Sequence, residues 1–272
     1  MPPFRGQAGP VDWPTTRSNS AWMDAWRLAA VPLLCVAPVA AADDCRPASM
    51  ERAAVSGVVD AALLQLADGR TIRLAGVFVP PKERAGAVAL VASLVAGNGV
   101  SLGNLSGQGD RYGRFSAHAF AGGGGWIQGE LLRRGLAIAL TFRDDRACAK
   151  ALLTAETEGR LAKAGLWASP DFAIARSENP SLLGQRNGYQ IVEGRVLSVG
   201  KTATTVYLDF GRNWATDFTV TVSTSDAALF ESEGMVLHDL EGRRVRVRGW
   251  LAESNGPMIK VDHPEQIEVL ER

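Results

Sequence analysis

Three stretches of the chain decide its fold: DRYGRFSAHAF at 110–120, GELLRRGLAIAL at 129–140 and LLTAETEGRLAKAGLW at 152–167. The first opens with turn chemistry, an aspartate followed three residues later by a glycine, and continues as a strand over Arg114–Ala121. Gly122–Gly125 breaks that strand. A short helix over Trp126–Arg134 follows, with Gly135 placed to stop it, and Leu136–Phe142 returns as a strand. Cys148–Ala164 carries Leu152, Leu153, Ala155 and Leu161 with charges between them, the spacing of an amphipathic helix, and Gly165 ends it.

Strand and helix signals also alternate upstream. Val58–Leu66 reads as a strand, Asp68-Gly69 as a hairpin turn, and Thr71–Val77 as the return strand, ended by Pro80-Pro81. Glu83–Ala96 is rich in Ala, Val and Leu at helical spacing and is followed by Gly97. Downstream, 171–188 is rich in Pro, Asn, Ser and Gly and reads as a linker. From Tyr189 the pattern is all-β. Val206, Leu208 and Phe210 share one face of a strand, Phe218, Val220 and Val222 another, and Val245 and Val247 a third. About five strands in roughly 80 residues predict a small closed barrel of the OB type. The expected fold is therefore α+β and mainly β, an OB barrel with three helices followed by a second, smaller OB-like barrel. The domain bounds it implies are 43–170 and 189–272.

The 272 residues hold 29 bases and 29 acids, with 46% hydrophobic and 21% charged residues. That composition excludes a disordered or collagen-like chain. Zero net charge argues against binding nucleic acid by bulk charge alone, although a local basic groove stays open. No unbroken apolar stretch is long enough for a multi-pass membrane protein.

The first 42 residues read as a leader. Residues 1–22 are polar and Pro-rich. Arg27 then supplies a short basic region, Leu28–Val39 an apolar run, and Ala40–Ala42 the small residues of a cleavage site before Asp43. Met23 is the better start for such a signal peptide. A single membrane anchor is the alternative, weakened by Pro32 and Pro38. Leu34 before Cys35 argues against a lipoprotein signal. The processed chain keeps Cys45 and Cys148, and in an oxidising compartment the two suggest one disulfide, the alternative being two free thiols. The location implied is periplasmic or secreted, with no stable membrane span after cleavage.

The order of motifs over Asp110–Trp167, together with Val58–Pro80, resembles the staphylococcal nuclease (thermonuclease) family over about residues 55–167. That resemblance implies a five-stranded OB barrel with three helices. It also implies phosphodiester cleavage with one Ca²⁺ held mainly by two aspartates, a glutamate that activates water, and two arginines on the scissile phosphate. A hard cation wants carboxylate oxygens, and developing phosphoryl charge wants guanidinium donors. Both arginines have counterparts, Arg73 in RLAGV and Arg114 in DRYGR. The carboxylates do not. Asp60 survives, but Ala62 and Phe78 stand where the metal aspartates belong, Val79 follows, and Pro81 takes the place of the glutamate. No metal site and no cofactor are expected in the family position. Ca²⁺ enters only if displaced acids such as Asp60, Asp68 or Glu83 serve instead.

Other residues carry weaker signals. Arg73 and Arg114 are phosphate-binding candidates, with a barrel position and an Asp110-held turn as the bland alternatives. Arg244, Arg246 and Arg248 alternate with the valines as one basic stripe. With Tyr207 and Trp214 as stacking groups, the stripe is a candidate nucleic-acid face, the alternatives being a solvated face or an interdomain contact. Gly122–Gly125 lacks the Lys-Ser/Thr of a phosphate loop and reads as a turn. His118, His238 and His263 are isolated and receive no chemistry, and Trp126 and Trp167 read as core. The function expected is non-catalytic binding of nucleic acid or of an envelope protein. An active metal-dependent nuclease is the first alternative and a structural envelope protein the second.

Overall fold

The structure, a computed structural model, describes residues 45–270 except Asn98, Ala173 and Trp214. The expected leader and signal peptide, and the stacking candidate Trp214, lie outside the described residues.

The first half runs β1 (Met50–Ala53), β2 (Val55–Asp60), β3 (Leu63–Leu66), β4 (Thr71–Leu74), β5 (Val77–Phe78), α1 (Arg84–Val95), β6 (Val100–Gly103), β7 (Arg114–Ala121), α2 (Ile127–Arg133), β8 (Ile138–Ala139) and α3 (Ala149–Leu161). The sheet order is β1-β6-β7-β4-β3-β2. Only Ala54 separates β1 from β2, so they are two halves of one bent strand, and the sheet closes on itself. The β4–β7 pair is parallel and the other neighbours are antiparallel. Leu64, Leu66, Ile72, Leu74, Leu102, Ala117 and Ala119 point inward at period two and form the core with Val91, Ile127 and Leu131 from the helices. Gly159 lets α3 lie against α2, because a Cβ there would collide with the Leu132 carbonyl.

The stretch Val58–Leu66, expected as one strand, is two. The Asp60 carboxylate accepts the Ala61 N–H at 2.7 Å and turns the chain at Ala61-Ala62, a corner made without Gly or Pro. Of Leu136–Phe142, the named strand is only Ile138–Ala139, paired with β5.

The second half runs β9 (Ala175–Arg176), α4 (Pro180–Gly184), β10 (Tyr189–Arg195), β11 (Ser198–Lys201), β12 (Thr205–Asp209), β13 (Thr219–Ser223), α5 (Thr224–Ser232), β14 (Arg244–Glu253), β15 (Pro257–Val261) and β16 (Ile267–Val269). It repeats the topology of the first. β10 and β11 form one bent strand that pairs with β14 at one end and β12 at the other. β13 and β15 are parallel neighbours, and a helix joins the third strand to the fourth. That helix, α5, corrects the expectation of an all-β half. Its cap is Ser223, whose Oγ accepts the Asp226 N–H at 3.1 Å. The 171–188 segment packs in part, since β9 pairs with β10 and both Ala175 and Leu183 join the second core.

Cys45 and Cys148 form a disulfide with Cα atoms 5.3 Å apart, tying the approach to β1 to the start of α3. No helix among the described residues is long and apolar enough to cross a membrane.

Candidate functional site

The register of the parallel β4–β7 pair sets Thr71 beside Arg114 and Arg73 beside Ser116. Alternation puts Arg73 and Arg114 on the same face of the sheet, opposite to Ile72 and Leu74. The structure therefore brings the two phosphate-binding candidates together, but it uses them differently. Arg114 donates from Nε to Asp110 at 2.9 Å, and its guanidinium carbon lies 4.6 Å from the centre of the Tyr112 ring. Asp110 also accepts the backbone N–H groups of Tyr112 and Arg114. The Arg114 guanidinium, helped by these amides, holds the Asp110 carboxyl down at about 2. Arg114 is thus the clamp of its own turn. Arg73 is half-buried between Leu63 and Ser116 and has no hydrogen-bond or ion-pair partner among the described residues.

Phe78, Ala62 and Pro81, where no carboxylate stands, make other contacts. Phe78 on β5 sets its ring edge-to-face on Trp250 of β14, with centroids 6.4 Å apart. Trp250 in turn meets Tyr189 at 5.7 Å, and Phe78 packs on the cluster of Ile138, Leu166 and Tyr189. Ala62 packs against the first core, and Pro81 begins an exposed 3-10 turn over Pro81–Glu83. Asp60 is held by Arg84 through two 2.7 Å hydrogen bonds. Asp68 pairs with Arg70, which also binds Glu51, and these hydrogen bonds hold the Asp68 carboxyl below its ordinary value. Asp60 and Asp68 sit at opposite ends of β3, about 10 Å of strand apart or more. No group of three or more His, Cys, Asp or Glu side chains placed to hold a metal occurs among the described residues.

Of the readings open for the arginine stripe, the structure places its Arg248 end in an interdomain contact, and all three arginines are ion-paired. Arg248 is 1% exposed and grips Glu156 of α3, itself 0% exposed, through two 3.0 Å hydrogen bonds. It also binds Glu268 of β16. Glu156 accepts in addition the Ala139 N–H and an Arg160 N–H. Arg246 lies opposite Glu193 on β10 and Glu268 on β16 in the register and pairs with both, while Arg244 reaches Glu193 at 3.3 Å. Burial pushes Glu268 up, but Arg248 and Arg246 more than reverse this and leave it below the usual carboxylate range. Tyr207 is not beside these arginines. It lies on β12 in register with Thr221 of β13.

Further contacts that the sequence reading missed cross between the barrels. Arg146 pairs with Glu265 at 2.8 Å and with Glu233 at 3.0 Å, and Arg143 pairs with Asp226. His263, assigned no chemistry, sets Nε2 2.7 Å from Thr141 Oγ1. Single charges with distant partners leave no spacing signal.

The first half is thus a closed barrel of OB topology with three helices, a paired-arginine face, and no acids at the positions Ala62, Phe78 and Pro81. Residues 71–169 match the family model of the staphylococcal nuclease homologues, which is consistent with an SNase-like domain in the first half. Strands β1 to β3 lie upstream of the matched segment. No curated protein matches the chain.

Proposed function

We propose that this protein is an exported, nuclease-fold binding module that does not hydrolyse phosphodiesters. The observation that carries the proposal is Phe78. Where the family places a metal-binding acid, this chain has an aromatic ring packed on Trp250 of the second barrel. The donor set does not fit Ca²⁺, because Asp60 alone remains and Arg84 already neutralises it. The Cys45–Cys148 disulfide supports export, since such bonds persist in oxidising compartments. Nucleic acid does not bind through the stripe of Arg244, Arg246 and Arg248, whose charges are spent on Glu193, Glu268 and Glu156.

The rival is an active secreted nuclease that uses Asp60, Asp68 or Glu83. It must first free Asp60 from Arg84 and Asp68 from Arg70, and β3 separates the two aspartates. The test is hydrolysis of single-stranded DNA by the purified protein, with Ca²⁺ and with chelator, beside Arg114→Ala. The expected outcome is no cleavage in any arm. Metal-dependent cleavage that disappears in Arg114→Ala overturns the proposal.

A further inference from the structure

The outer face of the second barrel holds a groove of about 380 Å³, within the size range of small-ligand sites. Its floor is β13 and its walls are β12 and β15. The register builds it in two rows, Asp209–Thr219–Met258 and Tyr207–Thr221–Lys260. Thr219 and Thr221 are each 8% exposed although they point away from the Val220 and Val222 core, because the longer side chains on both sides stand above them. Thr219 Oγ1 donates to Asp209 at 3.3 Å. The hydroxyls of Thr221 and Tyr207, the Lys260 ammonium and the Asn255 amide at the groove's end have no side-chain partner among the described residues. Thr221 is thus a residue more than nine-tenths buried whose hydroxyl makes no bond among the described residues and opens onto the groove.

We infer that this groove binds a short neutral glycan, an inference that rests on the protein being a binding module. Its chemistry is one carboxylate, one ammonium, an amide, several hydroxyls and one flat aromatic ring. Asp209 accepts from sugar hydroxyls, Lys260 and Asn255 donate to them, and the threonine hydroxyls do either. The Tyr207 ring offers an apolar surface to the C–H face of a pyranose. A nucleic acid is disfavoured because each nucleotide adds a negative charge, and a single ammonium beside a carboxylate gives no net positive field. A peptide strand is disfavoured because β12, β13 and β15 each already pair on both sides, so no edge is free. An amphipathic helix finds a hydroxyl floor with Met258 and the Tyr207 ring as its few apolar surfaces.

The test is titration of the ¹⁵N-labelled full protein with maltotetraose, cellotetraose and tetra-N-acetylchitotetraose, with oligo(dT) as a further arm. The expected result is amide shifts confined to β12, β13, β15 and the Asn255 turn with at least one of the three glycans. Tyr207→Ala and the near-isosteric Thr221→Val each weaken it about tenfold, a loss of one hydrogen-bond or stacking contact, with the remaining spectrum unchanged. Absence of shifts with all three glycans at about 10 mM, far above a useful dissociation constant, overturns the inference. So do shifts elsewhere on the protein, affinity that survives in both variants, or oligo(dT) occupying the same residues. DNA cleavage in the nuclease assay sinks the proposed function without touching this titration. A silent titration beside absent cleavage sinks only the glycan.

Discussion

Arg248 and Glu156 each stand in the place of what an apolar core would supply, and neither tolerates the loss of the other. Arg248→Met leaves Glu156 buried with Arg160 as its remaining cation and is expected to cost about 3–5 kcal/mol in denaturant unfolding, the scale of an uncompensated buried charge. The double variant with Glu156→Leu is expected to recover part of that loss, because the buried acid goes with its partner and Arg160 keeps Thr157 and the nearby Glu268. A second consequence at this scale is pH dependence. Glu268 and Glu265 both titrate below their ordinary value of 4.5, held there against burial by their arginines. A lowered acid stabilises the fold above its unfolded pKa, and that contribution disappears as pH falls through the folded value. His118 is buried against Trp126, and burial lowers it from 6.5. It folds neutral, so its contribution is present above about pH 6.5 and declines as pH falls below it. Unfolding midpoints are expected to hold steady from pH 8 to 7, then fall in two stages on acidification. In His118→Leu the first stage is absent; a first stage that persists there assigns it to another group.

At the scale of elements, the parts of the fold with local signals were readable. Arg114–Ala121 is a strand with the expected ends, and α1, α2 and α3 fall within one to three residues of theirs, because apolar spacing and the glycines Gly97, Gly135 and Gly165 are written in the chain. β1 and β6 were missed because neither alternates strongly over its four residues; their pairing with each other defines them. α5 had a signal, Ser223 three residues before Asp226, that the surrounding β pattern outweighed. The arginine stripe stayed open between its alternatives for a different reason. Period-two alternation shows which side of β14 the guanidinium groups take, not what covers that side, and α3 and β16 cover it. That Ala62, Phe78 and Pro81 carry no carboxylate is written in the sequence, but what packs on them is not, since Trp250 lies 172 residues from Phe78. That contact yields a prediction. Phe78→Asp restores the family's acid but exchanges an aromatic contact for a charge against Trp250 and Ile138. It is expected to lower stability by about 2 kcal/mol or more and to leave the protein without nuclease activity. Thermal unfolding and the DNA assay read the two effects separately.

For the whole molecule the question is whether two barrels unfold as two bodies or one. Beside the Phe78–Trp250 contact, the ion pairs that cross between them leave from a short part of the first barrel, Arg143, Arg146 and Glu156, which the Cys45–Cys148 bridge anchors at the head of α3. If α3 loosens, Glu156 withdraws from Arg248, and the second barrel is left with Arg248 facing Glu268 alone on the side that α3 had covered. The two stabilities are coupled through that helix, and both are confined in one compact unit. The disulfide closes a loop with a sequence separation of 103. In the chain-entropy picture a loop of that length contributes about 4–5 kcal/mol by restricting the unfolded state. Reduction, or Cys45→Ser with Cys148→Ser, is therefore expected to lower the midpoint of one shared calorimetric transition by several degrees, on the order of 10 °C for a protein of this size. The Arg248→Met variant is expected to split that transition, because it removes the crossing ion pair to α3 that is buried on both sides. An unmodified protein whose second barrel melts at its own midpoint, indifferent to reductant, rules out the coupling and leaves the Glu156–Arg248 pair as a local feature of the interface.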